Sequence, residues 1–398
     1  MDRRTTYINW GVSSFFGWGV YGLNLALNWC DDPDIEPVGA YVMTPDQLAV
    51  DPLRQRLIDS FLATSNAFQA RLKPFRERGV TVEGTVISHF NHNFRLSLSA
   101  NDVALEGKPS IAATFFETAL ISTDSVQRAA AFPAVVTGST WNAQVLQAHG
   151  LQNVRTVIQG IDPTLFHPAP RQGVFGDRFL VFSGGKLERR KGQDIVIAAF
   201  RRFAERRPDA LLVSAWGNFW PASSATINDT DLAEPCGFAP NGDADVAGWA
   251  AANNIAPDNF FALGFVPNAH LPTVLREMDV ALFTNRAEGG TNLVAMECMA
   301  CGVPTILSRN TGHIDLIEDD NCYPLNQQGE LAGFEAGSLG VPGWGESDVD
   351  EVVEALERVY AHRAEARERG LRGAADIGRY SWAKTAREMK AIVLETST

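Results

Sequence analysis

Cysteine is scarce and poorly placed for cross-linking. The 398 residues hold five, Cys30, Cys236, Cys298, Cys301 and Cys322. An odd, scattered set excludes a disulfide scaffold and points to a reducing, cytoplasmic setting. Cys298 and Cys301 form a C-x-x-C, but the second pair that a zinc site wants is missing, so they read as buried residues of a helix. Positive charge is also short. Lys and Arg number 34 against 47 Asp and Glu, a net charge of −13, which argues against life on nucleic acid or an anionic membrane. The sequence has no internal repeat, no low-complexity tract and no D-x-D run suited to a metal. No charge falls between Arg4 and Asp31, a length that could cross a bilayer. That stretch is interrupted by Asn9, Asn24 and Asn28 and by Gly11, Gly17, Gly19 and Gly22, and it lacks a compact apolar core with a small-residue cleavage site. It reads as strand, glycine loop and helix, so neither a membrane span nor a secretory leader is expected.

What is present is ordinary globular material, 45% hydrophobic and 20% charged, in a chain long enough for two or three domains. Strand and helix patterns alternate, the signature of α/β layers. Strands are expected at Tyr7–Trp10, Val80–Ser88, Ser110–Phe116, Ala134–Thr137 and Thr156–Ile158. A helix follows Ser139 or Thr140 as cap. Ala169–Asp177, with Pro170, Gly173 and Gly176, reads as a linker. Beyond it come strands at Arg178–Ser183, Ala210–Trp216, Phe260–Leu263, Val280–Thr284 and Thr305–Leu307, and a helix over 192–207. Gly217–Asp245 is read as one long loop, of a length usually functional or disordered. The chain from Val349 to Glu395 reads as helical, with a break near Gly378.

Two segments carry chemistry. In Asn285-Arg-Ala-Glu288-Gly-Gly290-Thr291-Asn292-Leu293-Val-Ala-Met-Glu297, a strand ends in a glycine turn with a carboxylate and then opens a helix. That geometry suits a diphosphate on backbone N–H groups and sugar hydroxyls on the acid, although a helix cap with a stray acid fits as well. In Gly184-Gly185-Lys186-Leu-Glu-Arg189-Arg190-Lys191-Gly192, four cations crowd a helix start, against the helix dipole. An anion such as phosphate would compensate; a solvated basic loop is the plainer alternative.

Together these segments resemble a retaining glycosyltransferase of the GT-B architecture, family 4 (glycosyl transferases group 1). The resemblance rests on Gly160, Asp162, Phe166 and Pro168, on Gly185-Lys186-Leu187 and Lys191-Gly192, and on Leu263-Gly264-Phe265-Val266. It continues in Glu288 and Glu297 with Met299-Ala-Cys-Gly302-Val-Pro304, and in Tyr380-Ser381-Trp382. It implies an α/β fold of two Rossmann-like domains facing each other across a cleft. Residues 1–170 would bind the acceptor, 171–379 the nucleotide sugar, and 380–398 would cross back onto the first domain. By the same resemblance Lys186 and Lys191, with Arg190, would hold the donor diphosphate. Glu288 would bind the transferred sugar and Glu297 the ribose, the backbone N–H groups of Thr291, Asn292, Leu293 and Val294 would touch phosphate, and Gly290 would also bind the donor. Gly185 and Val266 would border the nucleotide, and Gly17 and Gly19 would form a glycine loop beneath the donor.

This sequence departs from the family pattern in three places. Eight residues separate Glu288 from Glu297 instead of seven. Lys186 stands where Arg is commoner, giving a point charge without the planar fork. Ala113-Thr114-Phe115-Phe116-Glu117-Thr118 lacks the His that the family places near the reacting carbon, leaving Glu117, as a catalytic residue, or His89 or His92 to occupy that neighbourhood. Glu117 reads equally well as a helix-capping acid, and His313 reads as a helix cap. The resemblance further implies transfer of a hexose from a UDP- or GDP-linked donor without metal or cofactor. The departing diphosphate would deprotonate the acceptor, and the protein would supply position and charge. The acidic balance favours a soluble acceptor, whether sugar, small molecule or protein, and a homodimer is compatible with the sequence. An epimerase or phosphorylase of the same fold, or a donor-binding subunit without catalysis, remain as alternatives. A nicotinamide dehydrogenase would use Gly17-x-Gly19-x-x-Gly22, but no ribose-binding acid follows at the right spacing.

Overall fold

The structure, a computed structural model, describes residues 3–41, 43–75, 78–96, 103–331 and 342–397. The chain forms two compact units. Unit 1 runs to Gly160 and includes Pro267–Ala269 and the chain from Tyr380 onward; unit 2 is Ile161–Val266 and His270–Arg379. The glycine-bearing stretch Ala169–Asp177 lies inside unit 2.

In chain order, unit 1 contains β1 (Arg4–Asn9), α1 (Gly17–Trp29), β2 (Ile35–Gly39), α2 (Pro52–Leu72), β3 (Gly79–Phe90), β4 (Ala104–Thr114), α3 (Thr123–Ala130), β5 (Val135–Thr137), α4 (Thr140–Ala148) and β6 (Val154–Thr156). Its described strands form one parallel sheet in the order β2-β1-β3-β4-β5-β6. The order reverses between β1 and β3, and in such sheets ligands sit beyond the strand C-termini at that point. Strands covered by helices on both faces must be apolar throughout; Ile8, Val86, Ile87, Ile111, Ala112, Val135 and Val136 are fully buried accordingly. Ser139, one of the two expected caps, begins α4 by accepting from the Asn142 N–H.

Unit 2 continues with β7 (Phe179–Gly185), α5 (Gln193–Arg206), β8 (Ala210–Trp216), α6 (Pro221–Ser224), α7 (Val246–Ala252), β9 (Phe260–Ala262), α8 (Leu271–Leu275), β10 (Val280–Phe283), α9 (Leu293–Ala300), β11 (Thr305–Ser308) and β12 (Tyr323–Leu325). A short antiparallel pair, β13 (Gln328–Gly329) and β14 (Glu346–Ser347), and the helices α10 (Val349–Ala361) and α11 (Arg363–Ile377) complete it. The main sheet is parallel, ordered β12-β11-β10-β7-β8-β9. Numbered within the unit this is the doubly wound 3-2-1-4-5-6 order, which reverses between β7 and β10. Its core packs α5 and α10 against the sheet through Ile195, Phe200, Phe203, Leu212, Val280, Leu282, Val352 and Leu356. Gly217–Asp245, expected as one loop, is a structured insertion. It contains α6 and a 3-10 turn at Ala225–Asn228, and it buries Ile227 and Cys236 in the same core.

The last helix, α12 (Trp382–Glu395), belongs to unit 1. Ser381 caps it by accepting from the Lys384 N–H. Gly160 sits so close to its start that a Cβ would lie 2.2 Å from the Ser381 carbonyl carbon, so no other residue fits there. The Trp29 indole donates to the Ala386 carbonyl at 3.2 Å, and Lys390 binds the Asp32 carboxylate at 2.7 Å. Among the described residues no helix is long and apolar enough to cross a membrane.

Candidate active site

The order reversal in unit 2 brings the ends of β7 and β10 side by side, and with them the two segments singled out in the sequence. β7 ends at Gly184-Gly185. Gly185 has φ +124, a conformation that glycine alone adopts at little cost. The chain then passes Lys186 to a 3-10 turn, Arg189–Lys191, and enters α5 through Gly192 at φ +69. A Cβ on Gly192 would sit 2.2 Å from the Thr284 carbonyl oxygen, so glycine is required for the β7 turn to reach the end of β10.

At that junction Glu288 is buried, with its carboxylate held between cations. Lys191 Nζ donates to Glu288 Oε1, Arg190 Nη1 donates to Oε2 at 3.2 Å, and Asn285 Nδ2 also donates to the carboxylate. Arg190 further binds the Ala287 carbonyl at 2.8 Å and the Glu188 carboxylate. Burial raises the Glu288 carboxyl, but the charges of Lys191 and Arg190 outweigh it and hold the group at about 2. Burial raises the Glu188 carboxyl as well, but the charges of Arg190, Lys186 and Lys191 outweigh it and hold the group below its ordinary range.

A second pair fixes the turn from beneath. Arg286, with no exposed surface, is bidentate to Asp194 at 2.8 and 2.7 Å and reaches Glu346 at 2.8 Å and the Arg189 carbonyl at 2.7 Å. The Arg286 N–H donates to the Arg190 carbonyl at 2.8 Å, so the two turns are bonded backbone to backbone as well. Sequence reading assigned Arg286 and Asp194 nothing. The available signal was their position, one at a strand end two residues before Glu288 and the other in the first turn of α5.

Gly290, Thr291, Asn292 and Leu293 are buried in the turn that starts α9. Asn292 adopts φ +62 and caps α9, its side-chain oxygen accepting from the Ala295 N–H. Thr291 Oγ1 donates to Met296 Sδ at 3.0 Å. Thr311 Oγ1 accepts from the Glu288 N–H at 2.7 Å, and the Gly312 N–H donates to the Glu288 carbonyl at 3.0 Å. His313, expected as a helix cap, instead bridges two elements. Its Nε2 accepts from Asn292 Nδ2 at 3.0 Å, and its Nδ1 faces Ser308 Oγ at 2.9 Å. Burial pushes this imidazole down to about 4, against the pull of Glu288. Glu297 is buried on α9. Lys186 is half-buried, with its ammonium 5.1 Å from the centre of the Trp220 ring. Val266 is the last residue of its stretch of unit 2, and Phe265 beside it stacks on Phe219 at 4.2 Å.

In unit 1, Gly17 and Gly19 are not in a loop. They occupy the first turn of α1, and the loop proper is the preceding Trp10–Phe16. A Cβ on Gly19 would lie 2.6 Å from Ser13 Cβ, whereas one on Gly17 meets nothing within 4 Å. The strand ends nearby carry rings: Trp18 stacks on Phe115 at 4.3 Å and meets His89 edge-on at 4.4 Å. His92 follows β3, its pKa lowered by burial. Glu117 is half-buried in the segment after β4 and is not the cap of α3, which is Ser122. Among the described residues no group of three or more His, Cys, Asp or Glu is placed to hold a metal.

Residues 169–333 match the family model described as glycosyl transferases group 1. A D-inositol 3-phosphate glycosyltransferase of Segniliparus rotundus is 26% identical over 242 residues, covering 59% of this chain and 45% of that protein. One from Thermobifida fusca is 28% identical over 188 residues, covering 44% and 39%. The chain thus spans less than half the length of these curated relatives. Among solved structures, Anabaena Alr3699/HepE in complex with UDP-glucose superposes with a TM-score of 0.65 at 12% identity, over 99% of this chain and 100% of that one. Sucrose-phosphate synthase from Thermosynechococcus elongatus gives 0.63 at 15% identity over 99% of both. These likenesses show the fold, two parallel-sheet Rossmann-like units of the GT-B architecture.

Proposed function

We propose that this chain, whose residues 169–333 match the glycosyl transferases group 1 model and whose fold is GT-B, is a retaining glycosyltransferase that moves a hexose from a UDP- or GDP-linked donor to a hydroxyl of a soluble acceptor. The observation that carries the reading is the buried Lys191–Glu288–Arg190 cluster at the sheet's order reversal, where a doubly wound unit binds nucleotides. Lys186 and Lys191 hold the diphosphate and stabilise the charge that grows on it as it leaves, so the reaction calls for no metal. Glu288 gives up part of its hold on Lys191 to the phosphate and turns to the sugar hydroxyls. Glu297 takes the ribose, and the N–H groups of the turn entering α9 take phosphate. In the transfer the bond from the sugar's anomeric carbon to the diphosphate oxygen breaks. The acceptor oxygen bonds to that carbon on the same face, and its proton passes to the departing phosphate. In unit 1, Glu117 or His89 takes the place beside the reacting carbon, and the first turn of α1 at Gly17 and Gly19 lies beneath the donor and near the acceptor.

The relatives above are named for D-inositol 3-phosphate, a soluble phosphorylated polyol, which supports a soluble acceptor. Five free, buried cysteines support a cytoplasmic setting. The test is the initial anomer of the sugar released during slow donor hydrolysis, followed by NMR before mutarotation. Release of the donor's own α anomer supports retention; β anomer refutes it.

A further inference from the structure

The insertion after β8 is not an appendage. Three of its residues each hold a different residue of the turn that follows β7. Asn218 Nδ2 donates to the Leu187 carbonyl at 3.2 Å. Thr226 Oγ1 accepts from the Arg189 N–H at 3.2 Å. Between these contacts, the Trp220 ring lies beneath the Lys186 ammonium at 5.1 Å. The insertion is in turn fixed to the unit: Ser224 and Ile227 are buried, Asn218 Nδ2 also bonds Ser223 Oγ at 2.7 Å, and the Trp220 N–H donates to Asn218 Oδ1 at 2.9 Å. The ring itself is left 49% exposed.

Lys186 differs from its neighbours in how its charge is held. Lys191 and Arg190 are clamped by Glu288 and Glu188. Among the described residues no carboxylate lies within ion-pair distance of Lys186. A lysine head on a four-carbon stem has many rotamers, and ordering them at the moment of binding costs affinity. A carboxylate would order it but would also compete with an incoming phosphate. An aromatic face orders the ammonium without adding negative charge, so the cation stays open to an anion on its other side.

We propose that Trp220 is a positioning residue for Lys186, and that segment 217–228 braces the turn 186–189 so that this ammonium is held ready for the donor's phosphates. The role of Lys186 in this statement rests on the donor reading above; its placement by Trp220 does not.

The test has two arms. In the first, the methylene next to the Lys186 ammonium is followed by carbon–proton NMR, assigned with Lys186→Arg. The ring should shift its protons upfield, and Trp220→Leu should abolish the shift. In the second, kcat/KM is measured for the donor that the protein accepts, with Trp220→Leu, Trp220→Phe and fluorinated tryptophans at position 220. Trp220→Leu should lose roughly 3- to 30-fold and Trp220→Phe less. Fluorination keeps the shape of the ring while draining its face, so activity should fall stepwise with each fluorine, which a merely structural role would not produce. Trp220→Leu added to Lys186→Ala should cost nothing further. The proposal is overturned if the wild-type protons show no upfield shift or if the fluorine series is flat. If no donor binds the wild-type protein but the shift is present and is lost in Trp220→Leu, the positioning stands and the donor reading falls.

Discussion

Replacing Glu288 by Gln should weaken unit 2 and yet improve its grip on a bare diphosphate. The carboxylate is buried and answers three donors, from Lys191, Arg190 and Asn285. The amide keeps the shape but removes the charge, leaving two buried cations with only Glu188 between them. Breaking a buried pair in this way costs about 3–5 kcal/mol. The carboxyl's own displacement gives a second route to the magnitude. Its drop from 4.5 to about 2 corresponds to about 3 kcal/mol at about 1.4 kcal/mol per unit. The sign follows from the folded value lying below the unfolded one. The stabilisation is complete above pH 4.5 and is lost as pH falls toward 2, so the variant and the wild-type protein should converge in acid. Urea unfolding at pH 7 and at pH 3 measures both quantities. Calorimetry with pyrophosphate should show tighter binding to Glu288→Gln, because Lys191 no longer has a competing partner. A stability change under about 1 kcal/mol at pH 7, or weaker pyrophosphate binding, would refute the reasoning.

Two further perturbations probe the scaffold. Asp194→Asn strips Arg286 of its bidentate partner at a site with no exposure, so unit 2 should lose about 3 kcal/mol by urea unfolding, with Glu346 limiting the damage. His313 is held neutral in the fold at about 4 against 6.5 when unfolded. Its contribution is therefore intact above pH 6.5 and declines as pH falls to 4, by about 3 kcal/mol in all. Thermal unfolding across that window should show the slope in the wild-type protein and a flatter profile in His313→Asn.

Much of the scaffold was legible because parallel strands buried on both faces are written as unbroken apolar runs; Phe179–Phe182 and Ala210–Val213 are short runs of this kind beside glycine or proline, which favours strand over helix. β2 escaped because Pro37 sits in it, which reads against a strand until its place at the sheet edge is known. α2 was written plainly, with Asp51 as cap, Pro52 at the first turn and Ile58, Phe61, Ser65, Phe68 and Leu72 buried at helical spacing; its long polar face hid it. Gly17 and Gly19 resemble a loop by composition, yet close approach to Ser13, and not a turn, is what requires Gly19. At the site, the cations and acids could be picked out by their positions at strand ends. Their pairing could not, since Lys191 and Glu288 are 97 residues apart and Arg286 and Asp194 92 apart, and only the strand order joins them. The insertion at 217–245 was mistaken for a loop because its polar composition masks the few residues, Ile227 and Cys236, that anchor it.

The central claim is that this chain binds a nucleotide sugar on the β7 and β10 turns. Titration calorimetry of the wild-type protein, Lys191→Ala and Glu297→Ala with UDP-glucose, UDP-N-acetylglucosamine, UDP-galactose, GDP-mannose and ADP-glucose tests it most directly. One donor should bind the wild-type protein, with both variants losing that binding while keeping the wild-type circular dichroism spectrum. Absence of binding by every donor to the folded wild-type protein, or a donor bound equally well by both variants, would contradict it.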